Sequence, residues 1–308
     1  MRLAILDVGS NTVHLLVVDA ERSARPSPAA DQRWESPLLH HRGLDNALTE
    51  TGQRLLIDTV RQARACAETL GVHDFTAFAT SAMRDAAGID ALLERVRRST
   101  GIRLQVLDGA DEARLTFLAV RRWFGWGSGR LTAIDIGGGS LELATGLDEV
   151  PEHVVSLPLG ANRLTREFLS DDPPRRSDLA HLRRHVERAL ARHADRFSGR
   201  VDMTAGTSKT MRSLARLAGA APSSDGLYVT RTLSHSDAEA LIDKLASLPA
   251  KERTRLPGVS ARRAGQLLAG SVVAAEAMRC LGIDSLLICP WALREGVILT
   301  RHEWILGA

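Results

Sequence analysis

Apolar residues run almost unbroken over 3–7 (LAILD) and again over 12–19 (TVHLLVVD), with Gly9, Ser10 and Asn11 between them. Two short apolar runs around a Gly-Ser-Asn turn predict one β-hairpin. A Pro/Ser-rich stretch near 23–30 reads as a loop, and from 54 to 71 the apolar positions fall at helical spacing and stop at Gly71. A strand over 75–80, a helix over 90–99, a strand over 103–107 and a helix from about 110 to 124 follow, with Ser81 and Asp108 as candidate caps. The order β-β-α-β-α-β-α predicts an α/β layer. At 125–130 the chain reads GWGSGR, a linker composition, and then the pattern restarts. RLTAIDI and LELATGL predict a second hairpin around a Gly-rich turn. Strands follow over 153–158, 201–205, 228–233 and 285–289, and helices over 161–169, 178–197, 207–218, 236–247, 260–281 and 293–305.

The two restarts match in kind. DVGSNTVHLL from Asp7 and DIGGGSLELA from Asp135 agree at the acid, at Val8/Ile136, at Gly9/Gly137, at Thr12/Ser140 and at Leu15/Leu143. The economical reading is a duplicated fold of two lobes, 1–124 with 293–308 and 125–292. Ligands favour clefts between lobes, so both hairpin loops are expected to point into one cleft.

Composition narrows this reading little. At 308 residues, 44% hydrophobic and 25% charged, the chain has ordinary globular composition and room for two domains. A net charge of +3 with dispersed arginines gives no indication of a nucleic-acid partner. Cys66, Cys280 and Cys289 have no metal-ligand spacing, which predicts a reducing compartment and no structural zinc. Asp7, Asn11 and His14 interrupt the apolar N-terminus, so neither a signal peptide nor a membrane anchor is expected, and the location expected is cytoplasmic.

Candidate chemistry gathers on the hairpins. In Gly9-Ser10-Asn11-Thr12 and Gly137-Gly138-Gly139-Ser140, a Gly-rich turn can present backbone N–H groups to an anion, with hydroxyls adding donors. Asp7 and Asp135 close the strands beside those turns, where a carboxylate can hold Mg²⁺. The same letters also serve two plain hairpins with an Asp capping each turn. GTSKT (206–210) opens a helix where a phosphate would meet free N–H groups, or where Thr207 or Ser208 simply caps the helix. Asp111 and Glu112 stand at a helix start, as acids that complement the dipole do. Arg84 follows a strand, as a phosphate clamp or as a solvated arginine. His14 and Glu142 occupy matching places in the two hairpins.

DVGSNTVHLLV, ATSAMRDA, DEARL, DIGGGSLEL, LPLGANRL, GTSKT, RLPGVSARRA and ALREGVIL stand in one order along nearly the whole chain. In this the chain resembles the exopolyphosphatase/guanosine pentaphosphate phosphohydrolase (Ppx/GppA) family. The resemblance implies an α/β fold of two ribonuclease-H-like lobes, of the actin, sugar-kinase and heat-shock-chaperone ATPase superfamily, with an interlobe cleft. It implies that Glu112 is the catalytic base and that Asp135 and Glu142 are tied to Mg²⁺ (or Mn²⁺) and to the placement of water. By the same resemblance Gly9, Ser10, Asn11, Thr12, Gly137, Gly138, Gly139 and Ser140 form two phosphate loops, Arg84 contacts phosphate, and Gly206, Thr207 and Ser208 line a further loop. The last helix is expected to pack back on the first lobe. The activity implied is Mg²⁺-dependent release of terminal orthophosphate from inorganic polyphosphate by a homodimer. The alternatives are hydrolysis of guanosine pentaphosphate or a nucleoside triphosphate, and a nucleotide-binding regulator without turnover. Longer relatives continue into an all-helical HD-like region where this sequence stops, so short chains are the expected substrate. Leu141 replaces a usual Thr, and Gly88 and Gly265 replace a frequent Asn and an acid, departures that bear on substrate choice.

Overall fold

The structure is a computed structural model that describes residues 1–9, 12–20, 27–43, 45–84, 86–197 and 199–307. The chain divides into two compact units, Met1–Glu112 with Arg294–Ala308, and Ala113–Leu293. The division falls inside a helix and not at the Gly-rich 125–130, which forms only a short 3-10 turn.

The first unit contains β1 (Arg2–Val8), β2 (Thr12–Asp19), β3 (Ser27–Glu35), α1 (Glu50–Thr69), β4 (Asp74–Ala79), α2 (Ser81–Arg84), α3 (Ile89–Thr100) and β5 (Leu104–Val106), then the first turn of α4 (Gly109–Phe124). Its sheet has the order β3-β2-β1-β4-β5, antiparallel across the first three strands and parallel across the rest. Strand β3 replaces part of the loop read from the Pro/Ser-rich stretch. It is an edge strand, exposed or half-buried throughout and carrying Pro28, so it lacks the apolar alternation that betrays a strand. Ser81 opens α2 as its first residue and is not a cap before it. Leu6, Val8 and Leu15 of the hairpin pack with Leu56 and Val60 of α1 and Met83 of α2 in one core.

The second unit opens with β6 (Leu131–Ile136), β7 (Leu141–Gly146) and β8 (His153–Leu157), followed by α5 (Ala161–Phe168), α6 (Arg176–Ala191) and α7 (Ala194–Phe197). Then come β9 (Met203–Thr207), α8 (Ser208–Leu217), β10 (Thr232–Ser234), α9 (His235–Ala246), α10 (Ala250–Arg253), α11 (Ala261–Ala264), α12 (Leu267–Cys280) and β11 (Ser285–Ile288). The sheet order is β10-β11-β9-β6-β7-β8. Without β10, read from its far edge, this repeats the first sheet: an antiparallel three-strand meander whose first strand pairs in parallel with a strand beyond a helical crossover. The duplicated two-lobed α/β fold expected from the paired motifs is what the two sheets form.

Two elements differ from expectation for visible reasons. The strand expected over 228–233 shrinks to 232–234 because Arg231 donates to the carbonyls of Ala221, Pro222, Gly226 and Val229, holding that segment as a loop. The helix expected over 260–281 breaks between α11 and α12. There the buried Arg253 guanidinium takes the carbonyls of Ala264 and Gly265, drawing them from the helical ladder. Helix α12 is buried from Leu267 to Met278 and packs against α5, α6 and α9, which makes it the centre of the second core. The last helix, α13 (Leu293–Gly307), belongs from Arg294 onward to the first unit, where Arg301 forms a two-pronged pair with Asp74 of β4 at 2.8 and 2.6 Å. Among the described residues no helix is long and apolar enough to cross a membrane.

Candidate active site

Each unit carries one of the two motif hairpins, and both are built to the same register. In the first, Asp7 faces His14 and Val8 faces Val13; in the second, Asp135 faces Glu142 and Ile136 faces Leu141. The turns close alike, with Gly9 donating to the Thr12 carbonyl at 3.0 Å and Gly137 to the Ser140 carbonyl at 2.9 Å. A Cβ at Gly9 would stand 3.2 Å from the Thr12 oxygen, and one at Gly137 would stand 3.3 Å from the Ser140 oxygen. A side chain at either position would be tight and would require its neighbour to give by a few tenths of an ångström. Ser10 and Asn11 of the first loop lie outside the described residues.

The second loop is oriented by the helix that follows the meander. Ala161 donates to the Gly137 carbonyl at 3.0 Å, while Asn162 and Arg163 donate to that of Gly138 at 2.9 and 3.0 Å. A trans peptide points its N–H opposite to its C=O. With the carbonyls of Gly137 and Gly138 turned to α5, the N–H groups of Gly138 and Gly139 point away from it. Among the described residues the N–H groups of Gly138, Gly139 and Ser140 donate to no backbone carbonyl. Consecutive N–H groups without a carbonyl acceptor are donors of the kind an anion can take. Gly160 makes the approach of α5 feasible, since a Cβ there would stand 2.3–2.4 Å from the backbone of Gly139 and Ser140. The sequence held this signal in the Gly-Ala of LPLGANRL.

The carboxylates differ in setting. Asp7 has a side chain only 23% exposed, and burial pushes its carboxyl pKa up, a shift opposed by Arg294 at 3.9 Å and reinforced by Glu295. Arg294, from ALREGVIL, is a neighbour of Asp7 that the motif reading did not assign. Glu142 is buried and accepts from the Ser156 hydroxyl of β8 at 2.8 Å. Asp135 is half-buried beside it on β6. These are oxygen donors of the kind a hard cation such as Mg²⁺ takes, one or two at a time alongside substrate phosphates. Among the described residues no group of three His, Cys, Asp or Glu side chains is placed to hold a metal ion, carboxylates included, so substrate oxygens or water would have to complete the coordination of any Mg²⁺.

Glu112 lies in the first turn of α4, whose start is fixed by Asp108: its carboxylate accepts from the Asp111 N–H at 2.7 Å, and its carbonyl from the Glu112 N–H at 3.0 Å. The Glu112 side chain is only 8% exposed and accepts from Arg84 Nη1 at 2.5 Å; the same nitrogen donates to the Leu107 carbonyl at 3.1 Å. DEARL and ATSAMRDA are thus joined by an ion pair, so Glu112 does more than complement a helix dipole. A guanidinium has five N–H donors, and Arg84 uses only Nη1 in these bonds.

GTSKT is placed differently from expectation. Gly206 and Thr207 are buried strand residues of β9 opposite Ile134 and Asp135, not loop residues. The Thr207 hydroxyl donates to the Trp291 carbonyl at 2.7 Å. Ser208 alone stands at the helix start, with φ of 91°, and its hydroxyl accepts from the Met211 N–H at 3.3 Å. Leu141 likewise does not face the loop: it is fully buried in the core with Ile136 and Leu157.

The Ppx/GppA phosphatase family profile matches residues 17–303. The chain belongs to the Ppx/GppA phosphatase family. It is 50% identical over 305 residues to exopolyphosphatase 1 of Mycobacterium tuberculosis, an alignment covering 98% of this chain and 89% of that relative. The crystal structure of the Aquifex aeolicus Ppx/GppA family member matches with a TM-score of 0.84 at 26% identity, covering 98% of this chain and 97% of that one. An exopolyphosphatase from Cytophaga hutchinsonii shares the fold at a TM-score of 0.88 and 24% identity, over 99% of this chain and 98% of that one. The Ppx/GppA assignment thus spans both units.

Proposed function

We propose that this chain is an exopolyphosphatase that releases orthophosphate from the end of inorganic polyphosphate. The observation that supports it most is the second loop, where α5 takes the carbonyls of Gly137 and Gly138 and turns consecutive N–H groups the other way. Such donors suit the equatorial oxygens of a phosphoryl group, on which charge is spread in the transition state. The names of the mycobacterial relatives favour polyphosphate over other phosphoanhydrides.

In the proposed reaction Glu112 accepts a proton from water as the water oxygen bonds to the terminal phosphorus. The bond from that phosphorus to the bridging oxygen breaks, and a chain one unit shorter leaves. Arg84 orients the Glu112 carboxylate through Nη1, and its remaining donors are suited to substrate oxygens. Gly9 and Thr12 of the first loop and Gly137, Gly138, Gly139 and Ser140 of the second bind phosphate, and Ser208 adds a donor at a helix start. Asp7, Asp135 and Glu142 are the residues that would hold Mg²⁺. When bound, the ion supplies charge neutralisation on phosphate oxygens.

Phosphate release from chain-length-defined polyphosphates, guanosine pentaphosphate and ATP, each with Mg²⁺, tests the proposal. Polyphosphate is expected to give the highest kcat/KM. Glu112→Gln is expected to lower kcat by roughly 10²–10⁴-fold, the contribution of a positioned base. A wild-type rate in Glu112→Gln would remove Glu112 from the mechanism. A preference for guanosine pentaphosphate or ATP would move the substrate, and no release from any of them would favour a binding role.

A further inference from the structure

Helix α6 presents one unbalanced face. His181, Arg184, His185, Arg188 and Arg192 recur at intervals of three and four, which places them on one side of the helix, Arg192 extending it by one residue. All five are exposed. With Phe168, at the end of α5, they line a groove of about 650 Å³ with no carboxylate among its lining residues. The Phe168 and His185 rings lie 4.8 Å apart at 43°, closing one wall. The acids of α6 are engaged elsewhere. Glu187 pairs with Arg279 at 2.9 Å, and Asp178 takes the Ser177 hydroxyl at 3.3 Å. Arg183, on another side of the helix, is bound to Glu239 and Glu276. By contrast Arg184, Arg188 and Arg192 have no ion-pair partner among the described residues.

The groove is tied to the phosphate loop by a single rigid element. The first residues of α5 donate to Gly137 and Gly138, and its last residue, Phe168, lines the groove. Seven residues of helix separate the two ends, roughly 10 Å at 1.5 Å per residue. The basic face itself extends for roughly 16 Å by the same rise. The phosphate loop and the basic groove are thus held by opposite ends of one helix in one unit.

We propose that the α6 groove is a second binding site, an exosite for the body of a long inorganic polyphosphate chain. The proposal rests on polyphosphate being the substrate. Charge complementarity identifies a polyanion. The chemistry of the lining favours bare polyphosphate over nucleic acid, because one phenylalanine ring, tilted against a histidine, provides no ladder on which successive bases can stack. Arginine suits the role, since its planar fork matches phosphate oxygens and keeps its charge at all working pH values. The exosite adds affinity by holding a second part of the same molecule, so its benefit grows with chain length and is absent for a ligand too short to reach.

The triple variant Arg184→Ala/Arg188→Ala/Arg192→Ala, compared with wild type on long-chain polyphosphate and on tripolyphosphate, tests this. The variant is expected to raise KM for the long chain roughly tenfold and to flatten the salt dependence of long-chain binding by about two units of log–log slope, as for three fewer phosphate contacts. Its kcat on both substrates and its KM for tripolyphosphate are expected to match wild type, as is its thermal melting. Unchanged KM and salt slope on the long chain would overturn the exosite. So would an equal loss on tripolyphosphate, which would locate the effect in the active site. Fluorescently labelled long-chain polyphosphate, bound without turnover, separates the two readings. If wild type hydrolyses no polyphosphate yet the variant alone loses binding, the exosite stands and the activity falls. If single-stranded RNA of equal charge displaces the labelled chain with equal potency, the surface is a general nucleic-acid face and the assignment to polyphosphate is overturned.

Discussion

The two hairpins share a register and a turn but differ in the side chain at the position facing the aspartate. In the first, that position is His14, buried and bonded through Nε2 to Asp31 of β3 at 2.8 Å. In the second it is Glu142, bonded to Ser156 of β8. In both cases the third strand of the meander secures the side chain, so the scaffold is common and only the chemistry it presents has diverged. The first hairpin offers one carboxylate, with Arg294 nearby; the second offers two side by side. A duplicated fold has thus been specialised by a few side chains, leaving the backbone frame intact. The second hairpin thus sets two carboxylates facing each other, where the first sets a carboxylate against a histidine.

The largest effects should separate the paired positions. Glu142→Gln is expected to lower kcat/KM for the phosphate-release reaction by roughly 10²–10³-fold, the range for losing one group that stabilises transition-state charge. The matching change His14→Gln should leave the rate within about threefold and lower stability by about 1 kcal/mol through its bond to Asp31. Steady-state kinetics and thermal melting on both variants decide the matter. Equal losses of activity would mean that the two hairpins are not specialised as described.

A smaller effect should distinguish how the loops are supported. Gly160→Ala inserts a methyl group 2.3–2.4 Å from the loop backbone, so the loop or α5 must shift. A displacement near 1 Å in a positioning element lowers the rate about a hundredfold, and overpacking of this kind costs about 1–3 kcal/mol. Gly9→Ala, whose Cβ meets only one oxygen at 3.2 Å, should lose less than a tenth of that activity change. If Gly160→Ala keeps wild-type kinetics, α5 does not orient the second loop.

The smallest effect concerns what keeps Arg294 beside Asp7. Helix α13 carries Arg294 and is clamped through Arg301 to Asp74, whose carboxyl is held below its usual range by that guanidinium. A depressed folded pKa stabilises above the unfolded value, and the benefit is lost as pH falls through the folded one. Arg301→Ala should therefore lower stability by up to about 1 kcal/mol at neutral pH. The difference from wild type should shrink below about pH 4 and vanish at lower pH. Melting curves at several pH values provide the measurement. A difference that grows on acidification would contradict the pairing.

Much of this was legible in the sequence because apolar periodicity and turn chemistry act locally. The hairpins, α1, α4 with its Asp108 cap, and the duplication itself follow from short stretches. What escaped depends on distant partners. Strand β3 has no buried face to announce it, and its pairing comes from β2. The 221–231 loop and the break before α12 are each set by one arginine reaching backbone carbonyls. GTSKT read as a loop because its small polar residues resemble one, yet pairing with β6 and β11 draws Gly206 into the sheet. Among the site residues, the Arg84–Glu112 pair joins two motifs 28 positions apart, a link no local pattern reveals. Gly160 had no role in the motif reading because its contact is with a loop some twenty positions earlier.

Gly160 has an ordinary extended backbone, with φ of −72° and ψ of 145°, which any amino acid can adopt. Its constraint is one of volume alone. Every single-nucleotide missense change of a glycine codon yields a residue with a Cβ, so no one-step mutation at this position is conservative. In a saturation library selected for phosphate release, codon 160 should behave as a near-absolute filter, whereas positions with glycine in open left-handed turns, such as Gly71 and Gly282, should admit asparagine.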